Sequence, residues 1–124
     1  MKPKNIIMKN LPMLGKFLFP IPFAVFGILH LMNADAMAGM VPAYLPGGVL
    51  WVYLTGLALI AASVAVLTGK KAELALQLLG LMLLLFVLLI HLPSLLGGEQ
   101  SSMGGVLKDL SLCGAAWILS EKMK

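Results

Sequence analysis

Long apolar stretches separated by short polar or Pro/Gly-rich connections set the pattern of this chain. The most continuous one runs from Ala72 to Leu92, and beyond Leu74 its only polar side chains are Gln77 and His91. An α-helix rises about 1.5 Å per residue, so this stretch can cross roughly 30 Å of hydrocarbon. A helix that is apolar on every face has no place on the surface of a small soluble domain. The pattern predicts a transmembrane helix that ends at His91-Leu92, with Pro93 stopping it.

Three further stretches repeat the pattern. Phe17 to Met32 is apolar but carries Pro20 and Pro22 near its start. A helix beginning at Pro20 is too short to span, so the crossing is expected to begin before Pro20 and to bend there. Ahead of it, Lys2, Lys4, Lys9 and Lys16 form a basic lead-in, with an interfacial segment around Ile6 to Leu14. Asn33 to Gly48 is a connection in which Pro42, Pro46, Gly47 and Gly48 forbid a long helix. A short helix over Ala36 to Met40 fits, with Tyr44 at headgroup depth. Val49 to Leu67 is the second crossing, with Trp51 and Tyr53 near its start as interfacial aromatics. Gly56, Ala58, Ala61, Ala62, Ser63 and Ala65 give it small side chains suited to close helix contact. Pro93 to Gly105 reads as a flexible loop. A fourth helix follows, with Asp109 in its first turn, where the helix dipole favours an anion.

The predicted fold is all-α: an integral membrane four-helix bundle in one domain, with helices at approximately 14–32, 49–67, 72–92 and 105–120. Lysine placement orients it. With the N-terminus inside, eight of the nine lysines fall on the inner side and only Lys108 falls outside, beside Asp35, Glu99 and Asp109. Positive charge collects on the cytoplasmic side of short-looped membrane proteins. Both termini are therefore expected in the cytoplasm, with the chain multi-pass. Ala34-Asp35-Ala36 after a basic and apolar start also imitates a secretory cleavage site. The length of the lead-in and the prolines within the apolar run argue against that reading.

Composition agrees. Of 124 residues, 60% are hydrophobic and 11% charged, more apolar surface than a small soluble domain can hide. All nine basic residues are lysines, and the net charge is +4. They flank apolar runs and build no polar face, which excludes a nucleic-acid interface. Cys113 is the only cysteine, so an intrachain disulfide, a CxxC pair and a cysteine metal cluster are excluded. No Rossmann glycine pattern, P-loop, HExxH or nucleophile elbow is present, so no catalytic residue is assigned.

Candidate chemistry gathers at the predicted outer face. His30 ends the first helix, His91 ends the third, and Lys108 and Asp109 open the fourth. Ionisable groups beside apolar segments are costly unless paired, so a bundle should turn them inward. A His91–Asp109 pair would fix an imidazole tautomer, as proton transfer requires. The same residues would equally serve as a structural lid of hydrogen bonds. Asp35, as a partner for Lys108, Tyr44, and Cys113, one turn from Asp109, are secondary candidates. No metal is expected, because no HxxH or HxxxH spacing occurs.

FGILHL with His30, VPAYLPGG, YLTG with Gly56, and LKDLSLCGAAWIL with Lys108, Asp109 and Gly114 together resemble the DoxX-like group of small four-helix membrane proteins. Members often carry an acid shortly after the second-helix glycine. Here that place holds Leu59, so the resemblance implies no proton-linked role there. What it does imply is the fold, multi-pass placement in a bacterial cytoplasmic (inner) membrane and a link to quinone-associated redox systems. Two functions are then expected as alternatives. One is a quinone-associated subunit of a redox system, binding a polar head at His30, His91, Lys108 and Asp109. The other is a non-catalytic membrane interaction or assembly subunit, packing on a partner or a second copy through Gly56 and Ala62.

Overall fold

The computed structural model describes residues 6–124, and the regular structure among them is helical. Lys2 and Lys4, counted above on the inner side, lie outside the described residues. Helix α1 covers Ile6–Leu18 and α2 covers Pro20–Met32. Phe19 between them keeps helical angles, φ −70 and ψ −52, and its amide reaches the Gly15 carbonyl at 2.9 Å. Pro20 and Pro22 thus take the opening positions of α2, where a proline's missing amide costs little. The interruption expected at Pro20 is a junction between two helices. No residue of α1 is buried.

The connection that follows holds α3 (Ala34–Met37) and a 3-10 turn over Ala38–Met40. Trp51 donates its indole N–H to the Pro46 carbonyl at 2.6 Å, which ties this connection to α4 (Val49–Thr68). Gly69, with φ +78, closes α4 in the left-handed conformation that glycine adopts without strain. Helix α5 covers Ala72–Phe86 and passes into a π-helical segment, Val87–His91. The helical path then runs through Pro93 as α6 (Leu92–Leu96), so Pro93 does not stop it as expected. The wider π turn is the physical reason. Leu92 N–H bonds to the Val87 carbonyl five residues back, so the helix is already out of α register where the proline ring enters. The last helix, α7, covers Ser102–Lys122 and begins earlier than expected. Asp109 therefore lies well inside it, beyond the reach of the N-terminal dipole.

Three helical stretches are long and apolar enough to cross a membrane: Ile6–Met32, Val49–Thr68 and Ala72–Leu96. The chain thus has the form of a multi-pass membrane protein. Helix α7 is comparable in length, but with Lys108 and Asp109 in its path it is not among these three.

The packing is a row rather than a closed ring. Helix α2 lies on α4, α4 on α5, and α5 on α7, while α2 and α7 share at most a marginal contact. Close approach rests on glycine at two seams. A β-carbon on Gly27 would lie 2.6 Å from the Gly56 carbonyl oxygen, so α2 and α4 touch backbone to backbone. At Gly80 the indole of Trp117 covers α5 and donates to the Gln77 carbonyl at 3.1 Å. Phe23, Leu59, Leu76, Leu83 and Ala116 are among the residues that join the row into one core. Gly56 and Ala62 are buried in this internal packing. Gly56 is spent on the approach of α2 to α4, while Ala58 and Ala61 of the same helix remain exposed.

Candidate functional site

His30 and His91 are both held by their surroundings, in different ways. His30 is 6% exposed near the end of α2. Its Nδ1 lies 2.8 Å from the Phe26 carbonyl one turn back, and the ring meets Phe26 edge-on, with centroids 4.9 Å apart. A carbonyl only accepts, so Nδ1 carries the proton and Nε2 of the neutral ring is left as an acceptor. Across the seam, a β-carbon on Gly56 would come within 2.8 Å of His30 Cβ, so the histidine is seated where that glycine leaves room.

His91 is held from another helix. Its Nε2 donates to Asp109 Oδ2 at 3.0 Å, joining the π segment to α7. Asp109 is 6% exposed, deep for a carboxylate, and this imidazole is its partner. The π segment makes the pairing geometrically possible. An α-helix turns about 100° per residue, so eight residues beyond Leu83 an unbroken helix would aim His91 roughly 80° away from the Leu83 stripe. A π turn spends an extra residue and swings the ring back toward the side where Leu76, Leu79 and Leu83 are buried. The other ring nitrogen rests against Gly105, where a β-carbon would lie 2.7 Å from Nδ1. Ser102 Oγ donates to Ser94 Oγ at 2.7 Å and ties the start of α7 to α6 beside this pair.

His30, His91, Lys108 and Asp109 all line one cavity of about 1180 Å³. Aromatic and aliphatic side chains of α2, α4, α5 and α7 supply most of its wall, including Phe23, Phe26, Leu59 and Phe86. Thr55 also lines it, but its hydroxyl proton is shared between the carbonyls of Trp51 and Val52 at 2.9 and 3.0 Å. Lys108 is exposed and, among the described residues, forms no ion pair. The arrangement offers an imidazole acceptor, a histidine–carboxylate pair and a free ammonium group around an otherwise oily space.

The secondary candidates stand apart. Asp35 and Tyr44 are exposed and do not line the cavity. Asp35 forms no ion pair with Lys108. Cys113 is buried in the core, one turn from Asp109, and is also absent from the wall. No group of three metal-ligating side chains occurs among the described residues. Gly56 and Gly105, the seats of the two histidines, went unrecognised as site residues in the sequence. Glycine in a predicted membrane helix signals close packing without naming the side chain that fills the gap.

A family described as a domain of unknown function, DUF8561, matches residues 19–105, and the chain belongs to that family. The matched region holds both histidines and stops short of Lys108 and Asp109. No curated protein and no solved structure matches the chain.

Proposed function

We propose that this DUF8561 member is a bacterial inner-membrane protein that binds a quinone, or a similar redox molecule with a polar head and an apolar tail. The single observation that supports this most is the shared cavity, in which four polar residues from three helical segments meet a wall that is otherwise nearly all apolar. A membrane-soluble head group needs both features, a few placed polar groups and a large apolar enclosure. The resemblance of FGILHL, VPAYLPGG and LKDLSLCGAAWIL to DoxX-like proteins belongs to the same reading. So do a fourth crossing by α7 and cytoplasmic termini, for which the lysine distribution is the support.

A quinone, when bound, supplies two-electron chemistry coupled to protons. The chain's own residues would hold and orient it. His30 Nε2 accepts a hydrogen bond from a hydroxyl of the reduced head. Lys108 stabilises negative charge developing on a head-group oxygen. Asp109 fixes the tautomer of His91 and stabilises its ring when it gains a proton. The test is extraction and native mass spectrometry of the purified protein. Bound quinone is expected, with occupancy falling in folded His30→Ala and His91→Ala proteins. Absence of quinone, together with equal thermal shifts by quinone analogues in wild type and both variants, would make the cluster a structural lid.

A further inference from the structure

A second, smaller hollow continues along the α4–α5 seam. It encloses about 340 Å³ and meets the larger cavity at Ala58 and Met82, which line both. Ala61, Ala62 and Ala65 of α4 form its floor, and Leu74 and Leu78 of α5 its flank. A single charged residue, Lys71, lines it. Lys71 precedes α5 with φ +54, beside the exposed Lys70. Glu73, the nearest acid along the chain, does not line the groove. From Lys71 to Met82 is eleven residues, or about 16 Å of helix. That is close to half of the roughly 30 Å hydrocarbon core, the depth of one leaflet.

From this match we infer that the groove is a site for an anionic phospholipid. One acyl chain lies along the alanine trough, and the phosphate is at Lys71 and Lys70. A trough one leaflet deep fits a lipid tail. The cation at its headgroup end selects an anionic head over a zwitterionic one. Neutral small residues along the floor let the tail lie against α4. This site takes its ligand from the leaflet on the Lys71 side and does not depend on what occupies the larger cavity.

The test is native mass spectrometry of the full chain released from nanodiscs made of equal parts phosphatidylglycerol and phosphatidylcholine. Wild type is expected to retain phosphatidylglycerol preferentially. Lys71→Gln should lower that retention about fivefold, the order expected for one lysine at an anionic surface. Ala61→Leu, which fills the trough, should lower it similarly, while Lys122→Gln should not. Circular dichroism and monodispersity confirm folding, and Lys71→Gln alters only an exposed side chain. Retention without headgroup preference, or unchanged in Lys71→Gln, overturns the site. If Ala61→Leu instead dissociates a dimer with lipid retention unchanged, the groove is an interface between copies. If it releases quinone and not phospholipid, the groove is an extension of the larger cavity.

Discussion

The two histidines meet the same cavity under opposite regimes. His30 is held by its own helix, through a carbonyl four residues back, and only its packing depends on α4. His91 is held by a carboxylate eighteen residues away, on a helix that reaches it only because a π segment redirects the ring. A local bond forms whenever the helix forms. A bond between helices forms only when two helices have packed in register, so it reports on tertiary structure. The difference separates what α2 can do alone from what requires the α5–α7 pair.

The strongest way to break the comparison is at the α2–α4 seam. Gly27→Ala places a β-carbon against the Gly56 carbonyl, and backbone cannot yield there as a side-chain tip can. The expected loss is about 3 kcal/mol, the upper end for overpacking. Reversible unfolding in mixed micelles measures it. The His91–Asp109 bond should persist in the folded fraction, since neither partner lies on that seam.

A smaller effect follows from Asp109→Ala. It removes the interhelical bond and should cost about 1–2 kcal/mol, the range for polar contacts between membrane helices. Nitrogen NMR of the imidazoles is the sharper readout. His91 should lose its fixed tautomer while His30 keeps its own. Equal changes at both rings would show that the two sites are one network.

Gly105→Ala should act least. Its β-carbon meets the edge of the His91 ring, which can rotate away at about 1 kcal/mol for an off-rotamer side chain. Quinone occupancy, where present, should fall more than stability does. An unchanged His91 spectrum in this variant would remove Gly105 from the site.

Much of the helical layout could be read from the chain. Apolar length located the crossing segments, and the paired prolines at 20 and 22 located the break before α2, because both follow from local sterics and from lipid as solvent. Helix ends and lysine counting lead to an expected cluster of His30, His91, Lys108 and Asp109, of which the structure bonds His91 to Asp109 and sets all four along one cavity wall. Its geometry was less accessible. Pro93 suggested a stop, yet a π turn absorbed it, since the choice between breaking and widening a helix is made by neighbours. Glycine at 105 looked like part of a loop when it is in fact inside α7. The row arrangement was also hidden, because hydropathy shows that faces are apolar but not whether α2 and α7 close on each other.

That row bears on rates. A closed ring of four helices would have to part before a molecule of cavity size could leave. Here α2 and α7 leave their side unsealed, so an occupant of the proposed kind would exchange by diffusion in the plane of the bilayer. The local supply of such an occupant would then be its mole fraction among lipids, not its solubility in water. Its residence time would then depend on the hydrogen bonds that His30 and the His91–Asp109 pair could offer it.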